Sequence, residues 1–125
     1  MSNYFAGHAA EKRAAKYLEA QGFRVRELNW KTRLCEIDIV AEKDQKHYFI
    51  EAKYHNQRGL KSDVQVAMYT YARLLDLQYA HEQYEKKAHQ AWVITNTKFT
   101  QSAIIYAECM GLKMTGWRYP EKESL

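Results

Sequence analysis

Two short acidic strings come closest to chemistry in this chain: Glu36-Ile37-Asp38 and Glu51-Ala52-Lys53. Each is embedded in a run that reads as a β-strand. Between them, Glu42-Lys43-Asp44-Gln45-Lys46-His47 has the polarity of a tight connection. A hairpin turning at Asp44-Gln45 sets Asp38 opposite Glu51 and Glu36 opposite Lys53, all on one face, because strand side chains alternate with period two. Like charges facing each other destabilise a strand pair. Two carboxylates and an ammonium on one strip therefore need a compensating partner, and a divalent cation is the obvious one.

A hard cation such as Mg²⁺ takes oxygen ligands, commonly one or two carboxylates completed by water and phosphate oxygens. Asp38 and Glu51 can supply the carboxylates, and the Ala52 carbonyl a third oxygen. Such a metal polarises a phosphate and lowers the pKa of its bound water toward ~7. Lys53 can orient that water or offset charge building on the phosphorane. These groups suffice for in-line hydrolysis of a phosphodiester. Residue types alone favour a blander account, a surface hairpin whose Asp, Glu and Lys form a solvated charge cluster.

The flanking elements decide how the strip is held. A first helix is expected from about Asn3 to Gln21, capped by Ser2 or Asn3 and ended by Gly22, with Ala10, Ala14, Tyr17, Leu18 and Gln21 as its apolar stripe. Phe23 to Leu28 alternates as a strand, and Asn29 to Arg33 reads as a polar turn. Cys35 to Ala41 and Tyr48 to Tyr54 are the strands of the hairpin; their second face carries Ile37, Ile39, Ala41, Tyr48, Ile50 and Ala52 and should pack against a helix. After a loop at His55–Gly59, a helix from about Ser62 to Leu77, capped by Ser62 or Asp63, carries Val64, Ala67, Met68, Tyr71, Leu74 and Leu75 at helical spacing. Gln78 to His89 reads as helix end and loop, and Ala91 to Thr95 as a short buried strand. Thr100 to Met110 is a last helix closed by Gly111, and Lys113 to Trp117 an edge strand; the tail beyond Pro120 should fray. The order α-β-β-β-α-β-α-β points to an α/β domain with a mixed sheet.

Composition sets the outer limits. At 125 residues, 46% hydrophobic and 14% aromatic, the chain has the composition of one globular domain, 1–125, rather than of a disordered segment. No apolar run reaches the ~20 residues that span a bilayer, and the start lacks a secretory pattern, so a cytoplasmic protein is expected. Cys35 and Cys109 form no Cys-x-x-Cys, and the five histidines show no ligand spacing. A net charge of +4, from 19 basic and 15 acidic residues, gives weak support for an anionic partner.

Asp38, followed after about a dozen residues by Glu51-x-Lys53 across two strands, resembles the signature of PD-(D/E)xK nucleases, the restriction-endonuclease-like fold. Gly7-His8-Ala9-Ala10-Glu11 with Tyr17-Leu18 looks like the opening helix of Mrr-like and Holliday-junction-resolvase-like members. Glu36-Ile37-Asp38 is similar to their Glu-Ile-Asp strand, and Gln65 with Tyr69 to the Gln-x-x-x-Tyr of RecB-like members. Thr95 to Thr100 and Gly116 to Pro120 look like the domain found beside ATP-cone domains, although no ATP-cone segment is visible and no nucleotide cofactor is expected. Cys35 departs from the glycine these families often carry there.

The resemblance implies a metal-dependent DNA endonuclease of the Mrr-like restriction type, using Mg²⁺ with Mn²⁺ as substitute. It implies Asp38 and Glu51 as metal ligands, Lys53 as catalytic lysine, and Glu11 as an outer acid. Gln65 and Tyr69 would face the site, and His55, Asn56, Arg58 and Lys61 would contact DNA; surface polarity explains these last four equally well. A homodimer would suit paired nicks. Two alternatives stay open: a module of the same fold that binds DNA or a protein partner without turnover, and a Holliday junction resolvase. Trp92 reads as core; Trp117 and Tyr119 suit core or edge packing better than stacking on a base.

Overall fold

A computed structural model of the chain describes residues 2–31, 36–55, 59–80 and 89–120. Its elements run α1 (Ser2–Ala20), β1 (Arg24–Lys31), β2 (Glu36–Lys43), β3 (Lys46–Lys53), α2 (Val64–Ala80), β4 (His89–Thr95), α3 (Gln101–Met110) and β5 (Lys113–Thr115). This is the order expected from the sequence. The five strands form one mixed sheet in the order β1-β2-β3-β4-β5. The β1-β2-β3 meander is antiparallel, and β4 and β5 join in parallel after the helical crossovers α2 and α3.

Local chemistry fixes the boundaries. Asp44 and Gln45 both have positive φ, 52° and 65°, as a two-residue hairpin loop requires. That turn pairs Lys43 with Lys46 and runs the register up to Ile39 opposite Ile50, the pairing the two acidic strings demand. Asp63 Oδ1 accepts the backbone N–H groups of Gln65 and Val66 and so caps α2. Thr100 caps α3 through Ala103 N, and Gly111 closes it in the left-handed conformation.

Two hydrophobic layers sandwich the sheet. On one face α1 sets Ala14 and Leu18 over Ile39, Ala41, Ile50, Trp92 and Ile94. On the other, α2 and α3 set Ala67, Leu74, Leu77, Ala103 and Ala107 over Val40, Phe49, Ala91, Val93 and Met114. Trp92 is core, as expected, and its indole N–H donates to Thr115 Oγ1 at 3.0 Å.

Four details differ from the sequence-based expectation. Asn29 to Lys31 continue β1 rather than turning, because Trp30 pairs with Ile37 and Lys31 with Glu36; the connection that follows lies outside the described residues, as do Cys35 and the tail beyond Pro120. Ile37 leaves the α1 layer and joins the α2 layer with Trp30. It lies beyond the last β2-β3 pair, where strand twist is no longer held by a neighbour on that side. Gln21, expected on the buried stripe, is exposed. On α2 the phase differs too: Met68 and Leu75 are exposed, whereas Ala67, Thr70, Leu74 and Leu77 are buried.

The helix phase is testable on two adjacent leucines. Leu74 is 8% exposed and Leu75 is 47% exposed. Leu74→Ala should cost about 2–5 kcal/mol, the range for truncating a buried leucine. Leu75→Ala should cost less than about 1 kcal/mol, as at most surface positions. Urea unfolding of both variants measures the contrast, and equal losses would contradict the phase.

Candidate active site

The site begins where the β2-β3 ladder stops. Past the Ile39–Ile50 pair, the Asp38 side chain enters the space between the strands, and its Oδ2 accepts the backbone N–H of Ala52 at 3.1 Å. A carboxylate thus replaces a backbone carbonyl. Glu51 follows on β3, buried, with its carboxyl within hydrogen-bonding reach of Asp38.

Helix α2 covers this pair with one row of side chains. Tyr69 donates its hydroxyl to Glu51 Oε1 at 3.0 Å, and Arg73 Nη1 meets Glu51 Oε2 at 2.9 Å. The Arg73 guanidinium also stacks 4.0 Å from the centre of the Tyr69 ring. Gln65, Tyr69 and Arg73 stand four residues apart and so share a helix face. The first two were expected to face the site. Arg73 was not, although the same spacing carried one step further would have found it.

Electrostatics follow from this crowding. Burial pushes the Glu51 carboxyl up to about 8, reinforced by the Asp38 charge and opposed by Arg73 and the Tyr69 hydroxyl. Burial also raises Asp38, while the Ala52 N–H and Arg73 pull it back. Tyr69 is pushed up by burial and by the Glu51 charge. Each carboxylate oxygen keeps a second lone pair beyond the contacts named. Among the described residues no third His, Cys, Asp or Glu completes a cluster with the pair. Glu11 is buried on α1, the helix on the opposite face of the sheet.

Beside the pair opens a cleft of about 450 Å³ lined by Lys53, His55, Lys61, Ser62, Gln65 and Tyr69, among others. Lys53 is exposed at the end of β3. The structure therefore gathers Lys53, His55, Lys61, Gln65 and Tyr69 around one opening; Asn56 and Arg58 lie outside the described residues.

His55 is the most firmly held of these. Asn96 grips its backbone from both sides, accepting from His55 N and donating to His55 O, each at 2.9 Å. Its ring continues a chain of hydroxyls: Nε2 to Ser62 Oγ at 3.1 Å, Ser62 to Thr95 at 3.0 Å, Thr95 to Thr97 at 3.2 Å, and Thr97 to the Lys98 carbonyl at 3.4 Å. A carbonyl only accepts, so Thr97 spends its proton there, Thr95 donates to Thr97, and Ser62 donates to Thr95. Ser62 must then accept from His55, which fixes the Nε2–H tautomer and leaves Nδ1 as an acceptor. Burial and the Lys53 charge lower the His55 pKa, which favours that neutral ring.

A mixed five-stranded sheet between helices is a fold this chain shares with two solved endonuclease structures. The chain belongs to the family described as "Uncharacterised protein family UPF0102", whose sequence model matches residues 10–104. An uncharacterised protein of Archaeoglobus fulgidus is 46% identical over 118 residues, 89% of this chain and 62% of the relative. The chain thus spans about three fifths of that relative's length. The crystal structure of AF1548, a protein of unknown function, superposes with a TM-score of 0.78 at 43% identity, over 97% of this chain and 61% of that one. A repair endonuclease from Pyrococcus abyssi gives 0.63 at 17% identity, covering 82% of this chain and 43% of that one. EndoMS in complex with double-stranded DNA gives 0.58 at 10% identity, covering 76% and 36%. At those identities the two endonucleases share the fold.

The Glu51 shift carries a pH signature. Its ordinary value is 4.5 and its folded value about 8. Between the two, the folded protein holds a proton that the unfolded chain has released, so stability falls as pH rises through that window, by at most about 1.4 kcal/mol per unit from this group. In a buffer free of divalent cations, Glu51→Gln should flatten the decline in unfolding free energy between pH 5 and pH 8. A variant with the wild-type slope would rule out the buried carboxyl as its source.

Proposed function

We propose that this chain is a metal-dependent DNA endonuclease of the restriction-endonuclease-like class. One observation carries the reading: a buried carboxyl, Glu51, and a partly buried one, Asp38, come together where a strand ladder opens, and Lys53 follows Glu51 by two residues at the mouth of a cleft. The shared fold with a repair endonuclease and with a DNA-bound endonuclease supports it.

The paired acids suit a hard cation, which takes one or two carboxylates and fills its remaining positions with water and phosphate oxygens. Asp38 and Glu51 would hold Mg²⁺ or Mn²⁺ with the Ala52 carbonyl, and the cation would polarise the phosphate and acidify a bound water. The chain's own groups do the rest. The Ala52 N–H fixes Asp38, and Tyr69 and Arg73 fix Glu51. Lys53 reaches the cleft to stabilise charge growing on the phosphorane. His55 and Lys61 line the path of the backbone, whereas Glu11, on the opposite face of the sheet, takes no part at the paired acids. A homodimer would present two such sites, the arrangement that paired nicks of a restriction-type cut need.

A second reading, a DNA-binding module of the same fold without turnover, is favoured by a specific contact. Arg73 already gives Glu51 a full positive charge at 2.9 Å, where a catalytic cation would sit.

Supercoiled plasmid separates the two. With Mg²⁺ the wild type should nick it, and Glu51→Gln and Lys53→Ala should each lower the rate by at least about 100-fold, the scale of losing one transition-state contact. Wild type that binds plasmid without cutting supports the module; equal cleavage by all three proteins points to a contaminant.

Metal binding has its own readout. Mn²⁺ at about 100 times its dissociation constant should stabilise the fold by about 2.7 kcal/mol. The thermal shift should be larger at pH 8.5 than at pH 6, because the cation displaces the Glu51 proton. Lys53→Ala should keep this shift and Asp38→Asn should lose it. A shift independent of pH, or retained without Asp38, would count against these ligands.

A further inference from the structure

A second cleft of about 610 Å³ lies next to the first and shares Lys61 with it. Leu60, Lys61, Asn96, Thr97, Lys98 and Trp117 line it. Its volume is that of a small-molecule site, about 300–1,000 Å³. Trp117 is its distinctive feature. The ring is 52% exposed, whereas Trp92 is fully buried.

The ring is exposed on a rigid mount. Trp117 N donates to Thr97 O at 3.0 Å, and Gly116 exchanges two backbone hydrogen bonds with Tyr119 at 2.7 and 3.3 Å. Gly116 has to be glycine, because a Cβ there would stand 2.6 Å from Thr97 O. Tyr119 in turn packs edge-on against Phe99. A large apolar ring held out by a fixed turn has a surface to offer rather than a core to fill.

The cleft is also cationic. Lys61 and Lys98 line it with the ring, and among the described residues neither forms an ion pair. Asn96 and Thr97 complete the lining, their side chains held by His55, Thr95 and Lys98. An exposed aromatic face sharing a cleft with two ammonium groups suits an unstacked nucleobase and its flanking phosphates. A base still stacked in a duplex cannot present its face to the ring.

We propose that this cleft binds an unpaired nucleotide adjoining the scissile phosphate, so that the preferred substrate is DNA with a single-stranded segment beside its duplex. The inference rests on the endonuclease reading of the neighbouring cleft and adds the substrate class. Lys61 is the bridge between the two clefts, placed to touch the phosphate that joins them.

Binding tests this without turnover. Labelled forked DNA and plain duplex of equal length are titrated into the full chain with Ca²⁺ replacing Mg²⁺. The wild type should prefer the fork, and its tryptophan emission should be quenched on binding. Trp117→Ala should weaken fork binding about tenfold or more, the scale of one lost base stack, and so collapse the fork-to-duplex ratio. Trp117→Phe keeps a stacking face and should keep most of the ratio while losing the quench. A ratio unchanged in Trp117→Ala overturns the proposal, and so does equal weakening on both DNAs. Sedimentation of the same variant adds a third check: a dimer that becomes a monomer with fork preference intact assigns the face to a second copy and overturns it. Wild type that binds neither DNA would sink the nucleic-acid reading itself, a result distinct from failure of the tryptophan subsite.

Discussion

The centre of this molecule is organised around two adjacent carboxyl groups, one buried and one partly buried. Burying one charged carboxylate is costly unless hydrogen bonds and counter-charges compensate, and two in contact raise the cost further. The chain answers with three fixed partners. The Ala52 N–H takes Asp38, and Tyr69 and Arg73 take the two oxygens of Glu51. Each partner fixes a piece of architecture. Asp38 can reach Ala52 only if the β2-β3 ladder ends at Ile39 and Ile50. Tyr69 and Arg73 can reach Glu51 only if α2 lies over this part of the sheet in one rotational phase.

That phase explains what the helix gives up. Val64, Ala67, Met68, Tyr71, Leu74 and Leu75 form a plausible apolar stripe, yet Met68 and Leu75 face outward. Rotation toward them would bury more hydrocarbon. It would also turn Tyr69 and Arg73 from Glu51, leaving a buried carboxyl without the two donors that its oxygens accept from. One or two exposed apolar side chains cost less. A polar constraint therefore selects among hydrophobic solutions that are otherwise close in energy.

The same balance shows which features were legible in the sequence. Element order was readable, because each element carries its own periodicity and its own stop signals: Asp44-Gln45, Asp63, Thr100 and Gly111. The hairpin register was readable because a two-residue turn and the alternation of side chains leave one pairing. The length of β1 was not, since Asn29 to Lys31 read as part of a polar turn until Ile37 and Glu36 are known to pair with Trp30 and Lys31. Within the site, residues bound to a strand position or a helix row could be foreseen. Arg73 was signalled only by its place on the Gln65-Tyr69 row, and the hydroxyl chain joins Ser62 to Thr95 and Thr97 across the sequence with no pattern of its own.

The wall between the two clefts is built differently from their rims. Its hydroxyls form a chain that ends on the Lys98 carbonyl, and Asn96 holds the His55 backbone at both ends. The rims carry Lys53, Lys61, Gln65 and Lys98, exposed side chains with many rotamers. Ordering such side chains costs about 0.5–1.5 kcal/mol each on binding, which only a ligand rich in charge repays. A polyanion repays it at every phosphate, whereas a neutral ligand of the same shape does not. On the proposed endonuclease reading, the rigid wall would set where a backbone lies relative to the paired acids, while the lysines would set how strongly it is held and how steeply that grip falls with salt. This division places geometric selectivity in the hydrogen-bonded wall and affinity in the rim.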